Sequence, residues 1–591
     1  MCGLAGFTRS AVPDGTLELL HKMGQTIAYR GPDSHGEFIN ESIGLAHRRL
    51  SIIDLSADGH QPMHSPCGRY TIVFNGEIYN FQGLRNKYKD AGYRFCSRTD
   101  TEVILAAYSH KGEQCLEQLH GMFALAIWDN NEKSLFLARD RIGKKPLYWW
   151  HGGGDRLAFA SELKPLLELE VITREIDSTA ILDYLKYLYV PAPKTIFKNI
   201  YKLMPGHRLL LKKGGEPEVK QYWDVNFCVN DRLSFEQATD ELLAKIEEQT
   251  VLRMVADVPL GAFLSGGVDS SGVVGLMARN SDQPVKTCTI GFTDKNHDES
   301  QYAQEVAERF ATDHQHYMVN EDLIGTVSCL PRYFDEPFAD SSALPTYHVS
   351  RLARQSVTVA LAGDGGDESF AGYQKYAVEQ IENRVRSYVP TALLRVVQAM
   401  TAPADQGVMK KACSLTGSAM LSPAEGYYKT NTFVTDKQVN ALFSEQLLKD
   451  CQGYDPAEHT LKHWNHLHGA DHLSRMLYTD IKTYLPGDIL VKVDRTSMAH
   501  SLEVRAPLLD HSIVEYAATL PSRWKMHGSD KKYILRKAFS ALLPDTFLAR
   551  KKQGFTVPLD RWFRNDLKQF TFLALFESEF MAEAFNLNAL E

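Results

Sequence analysis

No stretch of this 591-residue chain approaches the roughly 20 consecutive apolar residues that a membrane-spanning helix needs, so no membrane partner is expected. The nine cysteines are scattered, odd in number and without C-x-x-C spacing. That pattern argues against a disulfide framework or a zinc ribbon and for a reducing cytoplasm. Cys67, Cys96, Cys115, Cys228, Cys288, Cys329, Cys413 and Cys451 read as structural thiols. There is no excess of basic charge: 65 Lys and Arg against 73 Asp and Glu leave a net charge of −8, with no basic block. Nucleic acid is therefore not an expected partner. The opening residues lack a basic start leading into an apolar run, and no secretory leader is expected. Neither G-x-x-x-x-G-K-[ST] nor G-x-G-x-x-G occurs, which excludes the two commonest nucleotide fingerprints. Internal repeats and low-complexity segments are also missing.

The chain is too long for one hydrophobic core, so two or more domains are the default. The first two hundred residues carry short β-type runs with turn signals, "RYTIVFNGEIYN", "MFALAIWDNNEKSLFLARD" and "RLAFASE". Helical spacing intervenes in "TDTEVILAAYSHKG", and the mixture predicts a layered α+β domain. "PGHRLLLKKGGEPEVKQYW" closes that domain or links it onward. From about residue 226 helical patterns alternate with short apolar runs, "VPLGAFLS", "VKTCTIGF" and "SVTVALAGD". Such alternation predicts a mainly parallel sheet flanked by helices, and the region beyond 380 reads as helical.

Three segments carry chemistry. "MCGLAG" puts Cys2 where it can become the first residue, with a free α-amine beside its own thiol. "LSGGVDSSGVVGLMAR" runs from an apolar strand through Ser265, Gly266, Gly267, Asp269, Ser270 and Ser271 into a helix. Glycines there bring backbone close to a ligand, and helix N–H groups favour anions. Asp269 within such a loop makes sense with Mg²⁺ between carboxylate and phosphates, although a plain strand–helix turn would also carry these residues. "ALAGDGGDESFAGY" places Asp364, Asp367 and Glu368 just past a second strand, where a solvated acidic turn is the alternative. Two loops of this kind at the carboxyl ends of strands meet at one ligand crevice.

These residues resemble a known family. "SGGVDSS" is similar to the loop of N-type ATP pyrophosphatases. "MCG", "YRGPD", "LAHRRLSIID", "FNGEIYN", "TDTEVILAAY" and "RDRIGKKPLY" resemble a class II glutamine amidotransferase domain. Both together, followed by "KVDRTSMAHSLEVRAPLLD" and "KKYILRKAF", resemble the glutamine-hydrolysing asparagine synthetase family over nearly the whole chain. The resemblance implies a four-layer α+β N-terminal nucleophile-type domain over residues 2–215 and an α/β synthetase domain over 226–591 with a helical C-terminal region. It also implies glutamine, ATP and aspartate as substrates, Mg²⁺ as cofactor, a cytoplasmic enzyme and a homodimer.

The implied residues follow by motif. Cys2 is the nucleophile, with its own amine as base. The Asn75 side chain and the Gly76 N–H are the oxyanion donors. Arg49 meets the glutamine carboxylate, Glu77 and Asp100 meet its amine, and backbone from Leu50 through Ser51 and Ile52 to Ile53 completes the pocket. In the second domain Leu264, Ile290, Ala362 and Gly363 line the nucleotide beside the 265–271 loop, and Asp269 and Asp367 are the metal ligands. ATP would activate a carboxylate as an acyl-adenylate, with Asp364 assisting and Lys532 stabilising the charged intermediate.

One departure stands out. Where the family motif reads Ser-Gly-Glu-Gly, this chain has Ala362, Gly363, Asp364 and Gly365. The shorter acid leaves acceptor identity open, because the same architecture also amidates other carboxylates, sugar uronates among them. "KHWNHLHGADH" brings four histidines together, and His468 and His472 would share a face if the segment were one helix. It lacks the H-E-x-x-H acid, and no metal site is expected there. His314 and His316 fall on one strand face with a structural or edge role, and "HDES" from His297 to Ser300 borders the acceptor side without an assigned role.

Overall fold

A computed structural model describes residues 2–291, 298–319, 323–402, 407–550 and 557–590; His297 and the initiator Met1 lie outside them. Two six-stranded antiparallel sheets build the N-terminal part. The first runs, edge to edge, through Ile200–Lys202, Tyr148–His151, Leu157–Ala160, Gly3–Thr8, Ile43–Arg49 and Ser34–Ile39. The second runs through Glu218–Gln221, His207–Lys212, Ser134–Arg139, Gly121–Asp129, Tyr70–Ile78 and Met63–His64.

Helices cover the outer faces, giving four layers. Leu20 and Met23 of helix Leu17–Gln25 pack on Ala5, Phe7 and Ala46 of the first sheet. Val103, Ile104 and Ala107 of helix Asp100–Lys111 pack on Phe74, Phe123 and Leu125 of the second. Between the sheets Leu4 and Leu45 meet Val73, Ala124, Ala126 and Leu137. The central strands are thus buried on both faces, which is why "MFALAIW" reads as continuous apolar sequence rather than as alternation. Thr99 caps helix Asp100–Lys111 by accepting from the Glu102 N–H, and Gly112 ends it at φ +55°.

The third sheet has five parallel strands in the order Asp313–Met318, Lys286–Gly291, Leu260–Phe263, Val359–Leu361 and Glu503–Arg505. Its chain order reverses between Leu260–Phe263 and Val359–Leu361, so the crevice of an open α/β sheet falls where those two strands end. These are the strands that lead into the Ser265–Ser271 and Ala362–Asp367 loops. His314 and His316 lie on the edge strand, where the Thr287 hydroxyl meets His314 Nδ1 at 2.9 Å. The condition for a shared histidine face is not met here. His466 ends helix Glu458–His466 and His472 starts helix His472–Lys482, so His468 lies in the turn between them and shares no helix face with His472. Gly469 at φ +91° makes that turn, and Asp471 caps the second helix.

The two parts meet at the amino ends of the third sheet. Leu50, Ile52, Tyr79 and Met122 form one buried apolar cluster with Val359 and Met498. Beside it Arg30, with no exposed surface, donates to Glu162 Oε1 at 2.8 Å and to both oxygens of Asp494 at 2.8 and 3.0 Å. Arg495 Nη1 approaches the same Glu162 carboxylate at 2.7 Å, and Lys164 bridges Glu162 and Asp335. Removing one partner from a buried pair leaves the other charge uncompensated. Arg30→Ala is expected to destabilise the chain by about 3–5 kcal/mol, read from the urea midpoint; an unchanged midpoint would show that the seam does not depend on this fork.

Candidate active sites

Cys2 opens the strand Gly3–Thr8 in the middle of the first sheet, and Asn75 and Gly76 lie within a central strand of the second. The Cys2 backbone nitrogen donates to Asn75 Oδ1 at 3.0 Å, and the Cys2 carbonyl accepts from Arg30 Nε at 3.1 Å. The Cys2 thiol points to the Leu50 carbonyl at 3.9 Å. Burial pushes that thiol above its ordinary range, while the positive amino terminus and Arg49 pull it back. Asn75 has no exposed surface, and with Oδ1 engaged its Nδ2 has no hydrogen-bond partner. A buried unsatisfied amide is costly, so this donor is poised for an acceptor in the site. Gly76 has φ +154°, and a Cβ there would overlap the Met122 carbonyl oxygen on the paired strand.

The remaining expected pocket residues divide. Leu50 and Ile52 are buried in the seam cluster, with Ile53 packed at its margin and Ser51 held by Asp33 through its N–H at 2.8 Å. Arg49 is buried, and its guanidinium donates to the carbonyls of Ser56 at 3.0 Å and Asp54 at 2.5 Å. It lines an open cleft of about 490 Å³ with Asp33, Ser34, Ser51 and His60. Asp100 accepts from the Ile78 N–H at 2.8 Å. Burial, with a contribution from the Glu503 charge, pushes its carboxyl up to about 6.

Glu77 turns toward the other lobe, where Arg505 Nη2 stands 3.4 Å from Oε1. Burial and the charges of Glu503 and Asp100 raise its carboxyl well above the usual range. Arg505 also holds Glu503 at 2.6 Å. Burial pushes Glu503 up, but the amino terminus and Arg505 outweigh it and its carboxyl stays low. The synthetase strand Glu503–Arg505 thus forms part of the wall around the Cys2 site. Arg30, Glu503 and Arg505 lie within the quoted motifs "YRGPD" and "SLEVRAP", yet no spacing rule picks them out.

The second site lies at the opposite ends of the third sheet's strands. Gly266, at φ +73°, turns the chain into helix Val268–Arg279, and Gly267 caps that helix without a side-chain hydrogen bond. Ser265 and Ser270 join through their hydroxyls at 3.0 Å, and Ser271 is fully buried with its hydroxyl unpartnered. The two acidic loops touch: a Cβ on Gly363 would lie 2.7 Å from the Ser270 nitrogen, and one on Gly366 2.7 Å from Asp269 Cγ. Lys532 pairs with Asp269 and reaches Asp367 at 2.9 Å. Burial opposes its charge, but the two carboxylates outweigh this and raise it above the ordinary lysine range. Two carboxylates converging beside an uncapped helix start form the hard oxygen set that suits Mg²⁺ with phosphates.

Leu264 and Ile290 are buried at the ends of neighbouring strands, and the Ala362 N–H donates to the Arg505 carbonyl at 2.9 Å. Asp364 is half-buried, and its charge reaches Lys492, which binds Asp340 at 2.7 Å and the Ser342 hydroxyl at 2.8 Å. That group was not apparent from sequence.

Comparison with known proteins matches the asparagine synthase family over residues 241–586, more than half of the chain, and a glutamine amidotransferase domain over residues 1–223. The chain belongs to the asparagine synthase family. Relatives of this family include the asparagine synthetase [glutamine-hydrolyzing] 1 of Bacillus subtilis, 34% identical over 98% of this chain and 90% of that protein. A putative asparagine synthetase [glutamine-hydrolyzing] 2 of Methanocaldococcus jannaschii is 38% identical over 64% of this chain and 76% of its own length. The amidase chry2 of Gibberella zeae is 28% identical over 95% of this chain and 90% of that protein.

Two expectations follow from the geometry. Gly76→Ala forces a methyl group into the neighbouring strand and should cost several kcal/mol or local rearrangement, read as a lowered unfolding midpoint; a neutral substitution would contradict the close approach. Asp100 has its folded carboxyl raised to about 6 from an ordinary 3.8, so the associated stability is present below pH 4 and lost as pH rises through about 6. Asp100→Asn should therefore stabilise the chain by roughly 3 kcal/mol above pH 7, with the gain vanishing near pH 4. Midpoints measured across that range check the sign.

Proposed function

We propose that this chain hydrolyses glutamine at the Cys2 site and uses the ammonia to amidate an ATP-activated carboxylate at the second site, with aspartate as acceptor and asparagine as product. The observation that carries the first half is the buried Cys2–Asn75 pair with its unpartnered amide donor. Once Met1 is removed, the nitrogen that faces Asn75 Oδ1 is a free amine beside the thiol. It takes the thiol proton as Cys2 attacks the glutamine side-chain amide, and returns a proton to the departing ammonia. Asn75 Nδ2 and the Gly76 N–H receive the developing oxyanion. A water molecule then cleaves the glutamyl thioester and releases glutamate. Arg49 and Asp100 hold the two ends of the amino-acid head group.

Burial raises the Cys2 thiol, which keeps it protonated until substrate expels water and the adjacent amine can act. The apolar cluster of Leu50, Ile52, Met122, Val359 and Met498 supports a dry passage for ammonia between the lobes. Neutral ammonia suffers no desolvation penalty of an ion there, and it stays unprotonated and nucleophilic. At the second site the Ser265–Ser271 loop and the helix start would hold ATP phosphates, and Asp269 and Asp367 would hold Mg²⁺, which supplies charge neutralisation when bound. Lys532, released from that carboxylate pair, is placed to steady negative charge on the activated carboxylate. Asp364, whose charge reaches Lys492, would assist formation of the activated intermediate. Domain limits near 2–215 and 226–591, a cytoplasmic setting and a homodimer belong to the same reading.

A second reading keeps the chemistry and changes the acceptor. It is favoured by Asp364, one methylene shorter than the family's glutamate, and by the amidase name of a nearly full-length relative. One experiment addresses both readings: pyrophosphate release and amide formation are followed with glutamine or ammonium as donor and with aspartate or sugar uronates as acceptor. Wild type should make asparagine from either donor, and Cys2→Ala should lose at least a hundredfold of glutamine-dependent synthesis while ammonium-dependent synthesis persists. Turnover with a uronate alone would replace aspartate, and loss of both donor activities in Cys2→Ala would defeat the two-site scheme.

A further inference from the structure

Outside both sites, helix Leu17–Gln25 and the edge strand Ser34–Ile39 bring together two imidazoles and a carboxylate. His21 Nδ1 lies 2.9 Å from Glu37 Oε1, and His35 Nδ1 lies 3.5 Å from the same oxygen. The three donor atoms all fall within 4.8 Å of one another. His35 and Glu37 are two residues apart and so share a strand face, while His21 reaches them from the helix packed alongside. Around a tetrahedral ion with bonds of about 2.0–2.1 Å, neighbouring ligand atoms stand about 3.3 Å apart, so these separations require little movement. The rings already meet edge to face, with centroids 5.1 Å apart.

We propose that His21, His35 and Glu37 form a surface site for a divalent transition-metal ion of the zinc class, with the fourth position open to water. Two nitrogen donors and one carboxylate suit Zn²⁺ over Mg²⁺ or Ca²⁺, which prefer all-oxygen shells. The Arg48 guanidinium, opposite His35 in the sheet register, adds a positive charge felt by Glu37 that opposes every divalent cation alike, so binding rests on the imidazole nitrogens. A supporting partner is present. His21 Nε2 lies 3.0 Å from Gln25 Nε2 one helical turn on. Turning that amide over lets Gln25 Oε1 accept Nε2–H, which fixes the tautomer that leaves Nδ1 free for metal.

The site is separate from the proposed chemistry yet adjoins it. Asp33 and Ser34, which precede His35, line the cleft that holds Arg49. An ion clasping His21 to His35 and Glu37 would therefore tie the helix to the rim of that cleft.

Zinc titrated into the full chain by calorimetry, with cobalt(II) as a spectroscopic probe, tests this. One ion per chain is expected, with visible bands of a nitrogen–oxygen shell and no thiolate charge-transfer band. His35→Ala and His21→Ala should each weaken binding at least tenfold, and Glu37→Gln several-fold, with circular dichroism confirming unchanged folding. Absence of stoichiometric binding, binding retained in the His21→Ala/His35→Ala double variant, or a thiolate band from the cysteines would each overturn the assignment. Because the readout is metal binding, its failure leaves the amidotransferase reading untouched.

Discussion

The Arg30 fork is the interaction on which the arrangement of both lobes depends. It takes the carbonyl of Cys2 with one nitrogen and the carboxylate of Asp494, on a helix of the other lobe, with the others. Position of the Cys2 backbone is thereby referred directly to the second lobe rather than to its own sheet alone. A planar guanidinium is suited to this, since its donors leave in fixed directions and cannot swivel independently. The pair is buried, so its net contribution to stability is small or unfavourable beside an apolar substitute, and its value lies in fixing one geometry. Glu162, Arg495, Lys164 and Asp335 extend the same logic, each charge satisfied by a neighbour from across the seam.

Around that fork, the two sites are organised by contrast. The glutaminase pocket is assembled from strands buried on both faces and held by backbone close approach, as at Gly76 and Met122. The nucleotide crevice is assembled from loops at strand ends, with Lys532 drawing Asp269 and Asp367 together. Rigid positioning marks the first site, where the Cys2 nitrogen is held on Asn75 and its thiol faces the Leu50 carbonyl. Ion pairs hold the second, where one lysine bridges two carboxylates from different loops.

Much of this was legible in the chain. The alternation of apolar runs and helical spacing after residue 226 foretold the parallel sheet, because parallel neighbours need a crossover, usually helical, between them. "NGEIYN" and "SGGVDSS" marked the candidate sites because each groups its polar residues and glycines in one short, contiguous stretch. What escaped notice is non-local. Arg30 and Asp494 are 464 positions apart, and nothing in the periodicity of either segment links them. Glu77 was expected to face glutamine, yet its carboxylate also meets Arg505 from the other lobe, a contact that only tertiary packing creates. The histidine run around residue 468 left its local structure open, and Gly469 with the Asp471 cap ends one helix and starts another there.

The third sheet touches the glutaminase with the first residues of its strands and the nucleotide loops with the last. Two of those strands, Leu260–Phe263 and Val359–Leu361, have only 4 and 3 residues. At about 3.3 Å per residue these strands span on the order of 10–13 Å between the seam cluster and the glycine-rich loops. Strand brevity thus keeps the seam and the two glycine-rich loops on either side of one thin layer, and every residue added to those strands would push them further apart.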